Sequence, residues 1–154
     1  MALLNYTTKI EPEQTISEIQ KMLSRHGVTA MMTEYDGPHV SGVSFRVNLD
    51  GKPLAFRLPC NWKAVEAILR PKNPRNLYDA KRKAAQEDAW KQQAIRTAWR
   101  IIKDWIATQL AMVEVKMVTV PQVFLPYAIM KDNRTLSEHI ESDPGFLLGG
   151  GSSS

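Results

Sequence analysis

The chain has 154 residues, of which 44% are apolar and 23% charged, the composition of an ordinary globular domain. Cys60 is the only cysteine, which excludes a disulfide framework and a zinc site made of cysteines alone. No apolar run approaches the roughly 18 residues of a membrane span. The N-terminal segment lacks the basic start and apolar stretch of a signal peptide, so we expect a cytoplasmic protein that contacts no membrane.

The first predicted element is a short amphipathic helix over about residues 12–26. Its apolar residues recur at helical spacing, at Ile16, Ile19, Met22 and Leu23. Gly27 ends the run. Two signals predict different starts for this helix. Pro12 suits a first helical turn, whereas Thr15 and Glu18 have the spacing of a capping box.

Three strands are predicted next, over residues 28–35, 40–49 and 52–58. The turn Asp36-Gly37-Pro38 separates the first two. Asp50-Gly51 is the dipeptide favoured in a two-residue hairpin turn, and such a turn fixes the register of the strands beside it. That register places three apolar pairs on one face: Val43 with Leu58, Phe45 with Phe56, and Val47 with Leu54. The other face receives Ser44 opposite Arg57 and Arg46 opposite Ala55, so Arg46 and Arg57 become diagonal neighbours. That face is either an ordinary solvated surface or a surface that contacts phosphates.

Two helices follow the sheet. The first is predicted to begin at the N-cap Asn61 and to carry apolar residues at helical spacing, at Trp62, Val65, Ile68 and Leu69. A basic, proline-rich loop comes next. A helical region then spans about residues 77–115, and we expect its amphipathic C-terminal part, 94–115, to be packed and its polar N-terminal part to project or be mobile.

The C-terminal part is predicted to hold two short helices and a tail. Thr119 can cap the first helix, which Pro126 interrupts, and Thr135 can cap the second. We assign residues 1–141 to one α+β domain, in which 70–93 form a basic loop and projecting helix, and 142–154 to a flexible Gly/Ser tail. The fold predicted is a three-stranded antiparallel meander packed on one face by helices.

The positive charge is concentrated in one segment. Residues 70–103 contain ten basic and three acidic residues, whereas the whole chain has a net charge of +4. Such clustering is typical of a protein that binds a polyanion, although Lys and Arg also decorate ordinary solvated helices. The candidate nucleic-acid-binding residues are Lys72, Arg75, Lys81, Arg82, Lys83, Lys91, Arg96, Arg100 and Lys103, with Arg46 and Arg57 on the sheet.

No motif predicts an enzyme, a cofactor or a metal site. His26, His39 and His139 have no metal-ligand spacing, and neither a phosphate-binding loop nor a dinucleotide-binding motif occurs. Cys60 follows a strand and is expected to be a small buried residue rather than a nucleophile.

Trp90 lies in the polar part of the long helix, so it can stack on a base or an aromatic partner, or cover the edge of the core. A protein-interaction module is therefore the alternative function, with Trp90 in the docking surface and a host protein or a larger assembly as partner. A third hypothesis is a homo-oligomer that exchanges the projecting helix between subunits. The sequence leaves open the type of nucleic acid.

Two resemblances add expectations. Over residues 12–70, Tyr35, Gly37-Pro38-His39, Phe45-Arg46-Val47 and Gly51 resemble the double-stranded RNA-binding domain. That family begins its second helix with a lysine cluster, where this chain has only Lys63.

A second resemblance covers most of the chain and is to small uncharacterised proteins encoded by bacteriophages and prophages. It is carried by four short segments: Phe56-Arg57-Leu58-Pro59, Ala98-Trp99-Arg100, Lys103-Asp104-Trp105 and Phe124-Leu125-Pro126-Tyr127. This resemblance implies a phage or mobile-element setting and transfers no site residue.

Overall fold

The computed structural model describes residues 2–71 and 79–148. The helices are α1 (Pro12–Ser24), α2 (Trp62–Leu69), α3 (Ala80–Glu114), α4 (Val120–Phe124), α5 (Leu136–Ser142) and α6 (Gly145–Leu148), with a 3-10 turn at Leu125–Tyr127. The strands are β1 (Val28–Asp36), β2 (His39–Leu49) and β3 (Lys52–Pro59). The predicted α+β class is confirmed. Among the described residues no helix is long and apolar enough to cross a membrane.

The sheet is an antiparallel meander in the order β1-β2-β3. The predicted register of β2 and β3 is confirmed at all five pairs, including Phe45 with Phe56 and Ser44 with Arg57. Asp50 and Gly51 both have positive φ, at 50° and 79°, as a type I′ turn requires. The turn and the apolar alternation therefore specify the same pairing.

Helix α1 begins at Pro12, and the capping-box prediction for Thr15 is wrong. Thr15 lies inside the helix and is fully buried. Its hydroxyl accepts a hydrogen bond of 3.4 Å from the Arg100 guanidinium rather than one from its own helix. Gly27, with a φ of 84°, follows the end of α1.

Contacts within the chain divide it into two compact units, described separately here. Unit 1 comprises Met1–Met22 and Cys60–Thr108, and unit 2 comprises Leu23–Pro59 and Gln109–Ser154. The single domain proposed for residues 1–141 stays a prediction.

Unit 2 is built around three aromatic rings. Phe45 and Phe56 stack across the hairpin with centroids 5.3 Å apart. Phe124 of α4 meets Phe45 edge-on at 5.1 Å and lies 6.2 Å from Phe56. All three side chains are buried, so the apolar sheet face is packed against α4. Such edge-on and offset contacts are the favoured aromatic geometries.

The short C-terminal helices begin where their caps predict. Thr119 and Gln122 form a capping box at the start of α4, and α4 ends before Pro126. The Thr135 hydroxyl accepts from the Glu138 amide at 3.2 Å at the start of α5. Helix α6 was not predicted, because its sequence had been assigned to the tail. Residues 149–154 of that tail lie outside the described residues.

Helix α3 is one continuous helix of 35 residues whose burial changes along its length. Residues 80–85 are all exposed, whereas Ala94, Ile95, Ala98 and Trp99 are buried. The amphipathic part is therefore packed at these positions, as predicted, whereas the projection or mobility of the N-terminal part stays a prediction. The predicted start near residue 77 lies outside the described residues.

Candidate functional site

Six of the seven predicted basic residues of α3 fall into two groups, and the seventh, Lys91, lies over a tryptophan ring. The first group, Arg96, Arg100 and Lys103, is neutralised inside unit 1. Arg96 Nη1 lies 3.5 Å from Glu11 Oε1, and Lys103 Nζ lies 3.7 Å from Asp104 Oδ1. Arg100 forms an ion pair with Glu18. These three cations therefore do not continue an open basic stripe.

The partner of this face of α3 is an N-terminal segment to which the sequence assigned no structure. Gln93 Nε2 donates to the carbonyl oxygens of Tyr6 and Thr8, at 2.8 and 2.9 Å. Asn5 Nδ2 donates to Asp104 Oδ2 at 2.8 Å, and the Thr97 hydroxyl donates to the Asn5 carbonyl at 3.4 Å. Residues 5–8 are thus bound to the same stretch of α3 that carries the neutralised cations.

The second group, Lys81, Arg82 and Lys83, stands at the solvated start of α3. All three side chains are exposed. Within the part of the chain that the structure describes, no carboxylate lies within 4.0 Å of any of them. The Asp79 carboxylate accepts the Lys81 backbone amide at 2.9 Å and so serves the helix start. Three consecutive cations are therefore available to an external anion.

Two partly exposed tryptophans lie on α2 and α3 of the same unit, and each has a cation over its ring. Lys91 Nζ of α3 lies 5.1 Å from the ring centre of Trp62 in α2. Arg70, the C-cap residue of α2, lies 5.1 Å from the ring centre of Trp90 in α3. The Lys63 ammonium also lies 5.8 Å from the Trp62 ring. These distances are in the range of cation–π attraction, which ties α2 to α3.

We call this set the basic-aromatic surface. It comprises Trp62, Lys63, Arg70, Lys81, Arg82, Lys83, Trp90 and Lys91, all of which belong to unit 1. Two further predicted residues, Lys72 and Arg75, lie outside the described residues. Glu87 and Asp88 are exposed on the same part of α3 and reduce its positive charge. The sequence predicts Trp90 and the cations of α3 but not Trp62, Lys63 or Arg70, because the contacts of Trp62 and Arg70 with α3 join residues that are distant in sequence.

Helix α2 is poorly buried for an apolar helix. Its N-cap is confirmed, since Asn61 Oδ1 accepts from the Ala64 amide at 3.2 Å. None of its side chains is buried, however, and Ile68 is 65% exposed. The helical spacing of its apolar residues therefore does not reflect packing against the core.

The two sheet arginines lie in unit 2 and are held differently. Arg57 donates from Nη1 to the Asn133 carbonyl and from Nη2 to Asn133 Oδ1, both at 3.0 Å. Its Nε lies 3.5 Å from Glu34 Oε1. Arg46 is exposed. Arg57 therefore already has anionic and carbonyl partners, and Arg46 is the more exposed of these two arginines.

Two residues of types that can take part in catalysis, Cys60 and His139, are held by burial and by a hydrogen bond. Burial raises the pKa of Cys60 to about 12, despite an opposing hydrogen bond from the Trp62 backbone, so its thiol is protonated at neutral pH. His139 Nε2 forms a hydrogen bond of 3.0 Å with Asp132 Oδ1, and this hydrogen bond is the main reason that the pKa of Asp132 lies below its usual value. Among the described residues no three His, Cys, Asp or Glu side chains come together as a metal site.

Comparison of the chain with protein-family models, curated proteins and solved structures finds no match in any of the three. The resemblances to a double-stranded RNA-binding domain and to phage proteins therefore stay predictions.

Proposed function

We propose that the protein binds nucleic acid without catalysing a reaction, and that the basic-aromatic surface contacts the phosphates. The observation that carries the proposal is the exposed run Lys81, Arg82 and Lys83, which has no carboxylate within 4.0 Å among the described residues. Nearby cations of the same helix are all engaged by carboxylates or by tryptophan rings. The exposed run is the part of α3 with charge available to a ligand.

The charge excess that remains is moderate. The segment 70–103 carries seven more basic than acidic residues. Four of these cations are paired with carboxylates outside that segment, namely Arg70, Arg96, Arg100 and Lys103, which lowers the usable excess to three. Such a surface releases counterions when it meets a polyanion, and it reads phosphates rather than base sequence. We expect affinity typical of nonspecific binding, with a Kd of roughly 10⁻⁴ to 10⁻⁶ M at physiological salt.

The direct test of the proposal is a fluorescence-anisotropy titration of labelled single-stranded DNA, duplex DNA and duplex RNA at several salt concentrations. We expect binding at low salt whose affinity falls linearly on a plot of log K against log salt. A labelled peptide without charge is the control probe. Absence of binding to every nucleic acid at low salt would remove the proposed function.

A protein-docking function is the second candidate, because Ile68 is exposed on α2 and its apolar neighbours Val65 and Leu69 are only partly buried. Contiguous exposed apolar surface marks interaction sites. On this hypothesis the cations only steer the encounter with a host protein or assembly partner. Replacement of Ile68 by Ser should then abolish capture of that partner while leaving nucleic-acid titrations unchanged.

A further inference from the structure

Resting on the proposed function, we infer that the ligand is single-stranded nucleic acid, whose bases stack on Trp62 and Trp90. Both indoles are partly exposed, at the solvated end of unit 1. Each has a cation 5.1 Å from its ring centre. An aromatic face beside a positive charge is the arrangement that single-strand binders use, since one group stacks on the base and the other meets the phosphate.

The helical positions bring an indole and an exposed cation to one side of α3. Lys83 and Trp90 are seven residues apart, which is close to two full turns, so both residues project from nearly the same side. Glu87 lies between them, four residues after Lys83. A strand that follows this side of the helix meets a phosphate-binding cation first and a stacking ring two turns later.

The relative strengths of the contacts allow a base to compete for the indoles. A cation over an exposed indole changes an equilibrium constant by about two- to fivefold. Stacking of one base changes it by about five- to 150-fold. A base therefore displaces the cations that lie over the rings, which are Lys91 and Lys63 at Trp62 and Arg70 at Trp90. A displaced Lys91 or Lys63 is then available to a phosphate, whereas Arg70 also pairs with Glu66 at 3.7 Å.

A duplex cannot use the indoles in this way, because its bases are already stacked and only their edges are open in the grooves. Duplex DNA would gain the phosphate contacts of Lys81, Arg82 and Lys83 alone. The two tryptophans thus distinguish single strands from duplexes, whereas the lysines and arginines do not.

The experiment compares a labelled oligo-dT and a labelled DNA duplex of equal phosphate number, at one low salt concentration. The proteins are the wild type, the double variant Trp62→Leu/Trp90→Leu, and Trp62→Phe/Trp90→Phe. We expect the leucine variant to lose about tenfold or more of its affinity for oligo-dT and less than twofold for the duplex. The phenylalanine variant keeps an aromatic face and should recover most of the loss.

The outcomes separate the two proposals. Absence of binding by the wild type to both probes overturns the proposed function. Binding of both probes with equal affinity, unchanged in the leucine variant, overturns the single-strand inference alone. An equal loss for both probes in the leucine variant also overturns it, because the tryptophans would then only hold α2 against α3. A selective loss for oligo-dT supports it.

Discussion

Replacing Lys81, Arg82 and Lys83 together by alanine is expected to weaken binding to single-stranded DNA by about two orders of magnitude at 0.1 M salt. Each phosphate contact on a single strand contributes about 0.7 to the slope of log K against log salt, so three contacts contribute about 2. The variant should therefore show a slope shallower by about 2 than the wild type. Anisotropy titrations at four or five salt concentrations measure both quantities.

The fold should tolerate this change. The three side chains are exposed, at the start of α3, and alanine has the highest helix propensity. The matched control is Arg25→Ala/Lys52→Ala/Lys131→Ala, which removes three exposed cations of unit 2 and leaves the same net charge. An equal loss in this control would mean that total charge governs binding, and it would contradict a site at the start of α3.

The largest expected effect on stability comes from Phe124→Ala, which should lower the free energy of unfolding by about 3–5 kcal/mol. Phe124 is fully buried and contacts the rings of Phe45 and Phe56. Its removal leaves a cavity and takes away two aromatic contacts. Urea denaturation followed by far-UV circular dichroism measures the loss.

Leu125→Ala is the control for this prediction. Leu125 is the next residue in the chain but is 53% exposed, so its loss should cost no more than about 0.5 kcal/mol. Similar losses in the two variants would show that the aromatic cluster does not stabilise unit 2 as described.

The hairpin of β2 and β3 could be predicted in detail because two independent constraints agree. The Asp50-Gly51 dipeptide requires positive φ at both positions, and the apolar alternation requires Phe45 and Phe56 on one face. Local chemistry is sufficient for such an element. The caps at Asn61, Thr119 and Thr135 were predictable for the same reason, since each cap involves residues only three positions apart.

The pairing of the α3 cations with carboxylates could not be predicted, because it depends on residues that are distant in sequence. The spacing of Arg96, Arg100 and Lys103 indicates a shared helix side, and a shared side was interpreted as solvated. Two of their partners, Glu11 and Glu18, lie more than 80 positions away. The residues that neighbour these cations in the sequence give no indication of such a contact.

The cation–tryptophan pairs were hidden by a similar ambiguity. Trp62 and Ile68 have the spacing of a core-facing helix stripe, and the same spacing fits an apolar helix that stays at the surface. Only the structure shows that no side chain of α2 is buried and that Lys91 lies over Trp62. The candidate surface is thus only partly visible in the sequence, through Trp90 and the cluster of positive charge.

The most direct test of the central claim is an NMR titration of ¹⁵N-labelled protein with oligo-dT, followed through backbone amide and tryptophan indole signals. We predict that the shifts concentrate at residues 62–70 and 79–91 and at the indole N–H signals of Trp62 and Trp90. The indole of Trp99, which is fully buried, should not respond. Shifts concentrated on the sheet face that carries Arg46, or no shifts at saturating oligonucleotide, would contradict binding at the basic-aromatic surface.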